Sequence, residues 1–262
     1  MPGHVGRVAL RVTDLDRMAA FYEDVIGLET LARDDERAVL GVDDPLLILL
    51  RSDRPARGPD ETGLFHTAFR VPSRAALGDA LNRIESAWRL DGASDHHVSE
   101  ALYLTDPEEN GIEVYCDRPR DEWPTTDDGR VEMDTLPLAL APLRAAADGA
   151  GRCPSGTDVG HVHLEVSGLD AARSFYVDGL GLNVRAEMAG ALFLATDDYH
   201  HHVGCNVWNG RSAPATNRGL AWIELVVDDP AAIRSRVGSV TTRGDGVEVT
   251  DPDGITIRLR RA

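Results

Sequence analysis

The sequence predicts an α+β protein built from four strand–helix–strands units. Three observations predict it: an internal duplication, a change of hydrophobic period within each copy, and a recurring aspartate–proline turn. The duplication is ungapped. Arg7-Val8-Ala9-Leu10-Arg11-Val12-Thr13-Asp14-Leu15 leads to Phe21-Tyr22 and Gly27-Leu28. Shifted by 154 residues, His161-Val162-His163-Leu164-Glu165-Val166-Ser167-Gly168-Leu169 leads to Phe175-Tyr176 and Gly181-Leu182. Ten residues of this 22-residue window are identical between the copies, too many for two unrelated amphipathic segments.

Within the first copy, Val8, Leu10 and Val12 alternate as in a half-buried strand. Leu15, Met18, Ala19, Tyr22, Val25 and Ile26 then recur at three and four, as on one helix face, and Gly27 closes that helix. The second unit opens with the strand Phe65 to Val71. Pro72-Ser73 starts its helix, and Leu77, Leu81, Ile84 and Trp88 form the apolar stripe. Leu220 to Val227 repeats that strand, and Asp229-Pro230 starts a shorter helix. Asp106-Pro107 leads to a last strand at Gly111-Ile112-Glu113-Val114-Tyr115, and Asp251-Pro252 to one at Gly254-Ile255-Thr256-Ile257. The units, called repeats one to four, span about 7–51, 63–118, 159–209 and 218–260. Residues 1–118 therefore form an N-terminal module of two repeats and 158–262 a C-terminal one. The linker, 119–157, is rich in Pro, Gly and Asp; Leu136 to Ala147 predicts a partial helix interrupted near Pro142, and Asp127-Asp128 a solvated surface.

At 262 residues the chain has ample length for a core. No apolar run approaches the roughly 20 residues of a membrane span, and the start has no signal-peptide pattern. Three widely spaced cysteines, Cys116, Cys153 and Cys205, argue against a disulfide framework, so a cytoplasmic location is expected. A formal charge of −17 argues against nucleic acid as a partner. All 27 basic residues are arginine, which with the many aspartates suggests a GC-rich genome and a salt-rich cytoplasm; an ordinary acidic cytoplasmic protein is the alternative.

The fourfold strand–helix pattern with its Phe-Tyr and Gly-Leu resembles the vicinal oxygen chelate superfamily. That group includes glyoxalase I, bleomycin-resistance proteins and the type I extradiol dioxygenases. The segment Ser94-Asp95-His96-His97-Val98-Ser99-Glu100-Ala101-Leu102-Tyr103-Leu104-Thr105-Asp106-Pro107, continued by Asn110-Gly111-Ile112-Glu113-Val114-Tyr115, is similar to the two-module catechol 2,3-dioxygenase subgroup. So is Tyr199-His200-His201-His202-Val203-Gly204-Cys205-Asn206-Val207-Trp208. The resemblance implies four βαβββ units forming two paired modules. Glu109 departs from the pattern, which usually has glycine after the aspartate–proline turn.

The first strand of each repeat offers one inward position: Arg7, His66, His161 and Trp222. The last strand offers Glu113 in repeat two and, matched through its Gly-Ile pair, Thr256 in repeat four. Two imidazoles and one carboxylate, His66, His161 and Glu113, are what a mononuclear non-haem iron(II) site needs; manganese(II) suits the same donors. Because the superfamily builds its metal site where two units face each other, repeat two is expected to pair with three, and one with four. His4 falls off the inward phase and is given no role.

The resemblance implies metal-dependent extradiol cleavage of a catechol or hydroquinone-like aromatic, with O2 inserted beside the diol. Such chemistry needs an acid and a base near the metal, and a histidine can be both. The family motif points to His202, with His200 on its face and His201 turned away. Tyr103 and His96 are expected to hydrogen-bond substrate or dioxygen, with His97 not separable from His96 by sequence, and His163 to line the pocket. The alternatives are a glyoxalase-like metal-dependent isomerase or lyase and a non-catalytic binding protein of the bleomycin-resistance type.

Overall fold

The computed structural model describes residues 3–127 and 129–262; Asp128, one of the acidic pair expected at the surface, lies outside them. Repeat one comprises β1 (Gly3–Val12), α1 (Leu15–Phe21), β2 (Glu29–Arg33), β3 (Arg37–Gly41) and β4 (Pro45–Arg51). Repeat two comprises β5 (Gly63–Arg70), α2 (Arg74–Ala87), β6 (Gly92–Asp95), β7 (Ser99–Thr105) and β8 (Gly111–Asp117). The linker adds β9 (Leu136–Pro137) and α3 (Leu140–Ala145). Repeat three follows with β10 (Asp158–Glu165), α4 (Leu169–Arg173), β11 (Asn183–Met188), β12 (Ala191–Ala195) and β13 (Val203–Asn206). Repeat four has β14 (Gly219–Val227), a 3-10 helix at Pro230–Ser235, then β15 (Thr241–Arg243), β16 (Gly246–Thr250) and β17 (Thr256–Arg261).

The strands form two sheets, ordered β15-β16-β17-β14-β1-β4-β3-β2 and β11-β12-β13-β10-β5-β8-β7-β6-β9. Repeats one and four thus share the first sheet, and repeats two and three share the second. By compactness the chain divides into two units: one takes the chain up to Arg11, Asp53–Phe65 and Gly160–Ala262, the other Val12–Ser52 and His66–Val159. Among the described residues no helix is long and apolar enough to cross a membrane. The three cysteines are free thiols, all buried.

The Phe-Tyr and Asp-Pro signals turn out to be two ends of one device. Helix α1 loosens after Phe21 into a π turn at Tyr22–Ile26 that ends on Gly27 at φ 91°, and Ser174–Gly179 does the same before Gly181 at φ 85°. In each copy the tyrosine hydroxyl reaches the aspartate of a turn: Tyr22 donates to Asp106 Oδ2 at 3.0 Å and Tyr176 to Asp251 Oδ2 at 2.9 Å. The other carboxylate oxygen caps the turn, accepting from Glu108 and Asn110 N–H in one copy and from Asp253 and Ile255 N–H in the other. So both motifs recur because each tyrosine pins a turn that launches a last strand.

Burial outweighs these hydrogen bonds and pushes both aspartates up to about 6. A carboxyl whose folded value lies above its unfolded value holds its proton more tightly in the folded state. Its ionisation therefore weakens the fold, and stability returns as pH falls through about 6 towards 4. Asp106→Asn and Asp251→Asn should each flatten the rise in unfolding free energy between pH 7 and pH 5, by an amount on the order of 1–3 kcal/mol. Urea titrations at the two pH values check this; an undiminished rise in both variants would assign it elsewhere.

Several local expectations need correction. Trp88 does not complete the stripe of α2; it caps the helix, stands 37% exposed, packs edge-on against Phe21 and donates from Nε1 to Thr105 O. Pro142 does not interrupt α3, because it sits in the first turn, where a missing N–H costs nothing. Glu109 adopts φ 68°, the left-handed conformation that makes glycine the usual residue there, and Gly254 holds φ 83° at the matching turn position. Both N–H groups close the turn in the same way, onto Asp106 O and Asp251 O.

Candidate metal centre

Strand β8 lies parallel to β5, with Glu113 opposite Ala68, and antiparallel to β7, with Glu113 opposite Tyr103. The buried carboxylate Oε2 is 3.0 Å from Nε2 of the buried His66. Tyr103 is half-buried, and its phenol is held protonated well above the ordinary range by burial and then by Glu113. His96, just past β6, places Nε2 2.6 Å from the Tyr103 hydroxyl and Nδ1 2.6 Å from the carbonyl oxygen of Asp134. A carbonyl only accepts, so Nδ1 carries a proton; at Nε2 a neutral His96 accepts a hydrogen bond from the Tyr103 hydroxyl, whereas a protonated His96 donates to it and frees the phenol hydrogen. The neighbouring His97 is exposed at φ 66°. Sequence left these two unresolved; of them, His96 meets Tyr103.

Across β10, His161 and His163 are two residues apart, hence on one face, and both are buried. The ring of His201 lies 4.0 Å, centroid to centroid, from that of His161, and His200 lies at 5.9 Å. The expectation that His201 turns away is therefore overturned. It assumed strand alternation, but residues 200–202 form a bend ahead of β13. His200 and His201 meet through their Nδ1 atoms at 2.7 Å, so one of the two donates and the other accepts. His202 stacks on Tyr199 at 5.1 Å and turns Nδ1 to Thr196, from whose N–H it accepts at 3.2 Å. Its neutral ring therefore carries the proton on Nε2.

The ligand atoms of His66, Glu113 and His161 all lie within 4.8 Å of one another. Two neutral-type nitrogen donors and one carboxylate, all buried, fit a divalent first-row cation of the iron or manganese kind. His4 stays exposed on β1. Neither the Asp134 carbonyl nor Thr196 was legible as part of this region, because a backbone group leaves no side-chain signature.

The other sheet fills the matching positions differently. Counted without a gap from the aspartate–proline turn, the counterpart of Glu113 is Arg258 and not Thr256. Register agrees, since Glu113 faces Tyr103 and Ala68 while Arg258 faces Glu248 and Glu224. The guanidinium of Arg258 lies 4.0 Å over the Trp222 ring, with that of Arg7 at 6.0 Å. Arg7 grips Glu224 through Nε at 3.0 Å and Nη2 at 2.5 Å, and Arg258 donates to Glu248 at 2.9 Å. Arginine, tryptophan and arginine thus stand where the other sheet has histidine, histidine and glutamate.

A fold of paired βαβββ repeats carrying a buried two-histidine, one-carboxylate group agrees with what comparison shows: the chain belongs to the glyoxalase/bleomycin resistance protein/dioxygenase superfamily, whose sequence model matches residues 4–114. Among its relatives, catechol-2,3-dioxygenase of Bacillus subtilis (strain 168) is 38% identical over 259 residues, covering 95% of this chain and 91% of that protein. Solved structures that share the fold include the following two. Glyoxalase I from Zea mays superposes with a TM-score of 0.62 at 17% identity, over 98% of this chain and 92% of that one. A putative dioxygenase from Bacillus subtilis subsp. subtilis str. 168 superposes with a TM-score of 0.64 at 12% identity, over 98% and 84%.

Proposed function

We propose that the protein is an extradiol ring-cleavage dioxygenase for a catechol or hydroquinone-like aromatic, with His66, Glu113 and His161 holding iron(II), or manganese(II), as its metal. The buried His–Glu–His group carries this reading, and the similarity to catechol-2,3-dioxygenase supports it. Three protein donors leave positions for both substrate and O2, and the bound ion supplies a Lewis-acidic, redox-active centre between them. The aromatic ring provides the electrons that reduce O2, and both oxygen atoms enter the opened product.

The chain's own residues handle protons and orientation. Tyr103, kept protonated beside Glu113, presents a hydroxyl where charge develops on oxygen; His96 orients it, and when its ring is protonated it donates from Nε2 and leaves the phenol hydrogen free for that oxygen. Of the pair His200–His201, the ring that donates through Nδ1 has an unprotonated Nε2, a base for a phenolic proton. His202, with its proton on Nε2, donates that hydrogen towards a reacting oxygen, and as the imidazolium it would be the acid that returns a proton. His163 lines the face beside His161.

Anaerobic reconstitution with Fe(II), followed by oxygen-electrode assays with catechols and hydroquinones, tests the reading. One O2 consumed per diol is expected. Stoichiometric metal without oxygen uptake would favour the glyoxalase-like alternative, and failure to take up metal the binding-protein one. Within the same assay Tyr103→Phe should keep its metal and lose about 10²-fold in kcat, the usual scale for one oriented donor. Unchanged turnover would reduce Tyr103 to packing.

A further inference from the structure

We infer that the face of β10 and β13 beyond His161 recognises an oxygen acceptor on the substrate's ring substituent, a carbonyl or carboxylate, and that Asn206 supplies the donor. The inference rests on the dioxygenase reading above.

Asn206, the last residue of β13, is fully buried. Its Oδ1 accepts from the Trp208 N–H at 3.2 Å. That contact fixes the amide, since a flipped side chain would set donor against donor. Its Nδ2 then has no hydrogen-bond partner among the described residues. Buried donors rarely stay unmatched, and those that do call for a missing acceptor.

The direction of this side chain follows from alternation. Cys205 lies on the side of Tyr176 and of the turn aspartates, near enough to Asp251 and Asp253 to feel their charge. Gly204 and Asn206 therefore face the other way, towards His163. A Cβ on Gly204 would sit 2.8 Å from the His163 ring, so glycine lets the imidazole lie against the strand. Around His163 stand Phe65 and Trp208, each with its ring centroid 5.3 Å away, and Phe193 at 5.6 Å. A flat substituent would be held by these rings.

Beside this box, Glu165 is the ladder partner of Asn206. Its carboxylate is already taken by Arg57, by Arg211 Nε at 2.9 Å and by Asn209 Nδ2 at 2.6 Å. It is not the acceptor of the Asn206 amide. The Glu61 carboxylate acts on Arg57 as well, so two carboxylates balance the two guanidiniums.

The test is anaerobic titration calorimetry on the Fe(II)-loaded and metal-free protein. The probes are catechol and three catechols bearing an alkyl, an acyl or a carboxylate group of matched size. The unsubstituted protein should bind the acyl or carboxylate probe about 10-fold more tightly than the alkyl one, because a site built to donate rejects an analogue that cannot accept. Asn206→Asp keeps the acceptor for Trp208 and replaces only the donor. It should erase the acyl preference and turn any carboxylate preference into discrimination, with plain catechol unchanged. Asn206→Leu should erase both. Equal binding of alkyl and oxygen-bearing probes by the unsubstituted protein would overturn the inference, as would variants that weaken all four alike. If neither variant folds by circular dichroism, the unsubstituted protein's preference decides. Oxygen-group preference without O2 consumption would overturn the dioxygenase reading alone.

Discussion

His161→Ala protein should emerge from anaerobic iron reconstitution with metal affinity lowered more than about 100-fold and no measurable oxygen uptake, yet with its secondary structure intact. His66→Ala and Glu113→Ala should behave alike. Loss of a group that merely orients a ligand costs about 10–100-fold in affinity, and loss of a ligand must exceed that. The three positions match across the repeats, and their donor atoms converge within 4.8 Å. Glu113 carries a second consequence. Without its carboxylate, His66 loses its 3.0 Å partner and Tyr103 its neighbouring charge, so the alanine variant should also lower the Tyr103 phenol's ionisation range. His4→Ala, an exposed change on β1, should retain full iron. Any of the three ligand variants that keeps stoichiometric iron removes that residue from the set.

His202→Phe should keep its metal, bind catechol anaerobically, and turn over about 10²–10⁴-fold more slowly, the range for loss of an acid–base group. The deficit should fall on kcat more than on KM, because a proton transferred in the transition state contributes little to ground-state binding. Phenylalanine preserves the stack on Tyr199 while removing the Nε2 proton and the Nδ1 acceptor for Thr196. Iron content and rate are to be measured on one preparation. An unchanged rate would leave the whole proton chemistry to His200 and His201, while lost metal would make His202 a fourth ligand and revive the isomerase alternative.

Much of this architecture could be read from the chain because duplication doubles every signal. Identical Val8/Val162 and Tyr22/Tyr176 pairs fixed the strand–helix alternation, and the same shift brought His161 onto Arg7. Ligand types then separated repeats two and three from one and four, as the two sheets do. Repeat four was harder. Its Gly-Ile pair resembles the one before Glu113 and points to Thr256, whereas hydrogen bonding from the turn aspartate counts seven residues to Arg258. His201 was misdirected because alternation holds only inside a strand, and β13 begins at Val203. The π turns were invisible because their apolar stripe matches that of an ordinary helix. Linker composition likewise hid β9, whose pairing with Ser94 and Asp95 brings the Asp134 carbonyl to His96.

The Arg7–Trp222–Arg258 stack uncouples part of the fold from nutrition. A duplicated protein that kept two ion sites would bury two donor clusters, each left without its cation whenever metal ran short. Here β1, β14 and β17 are tied by guanidinium, indole and carboxylate groups that every ribosome supplies with the chain itself. On the proposed reading, metal supply would then set how much of the protein works, without deciding how much of that sheet survives.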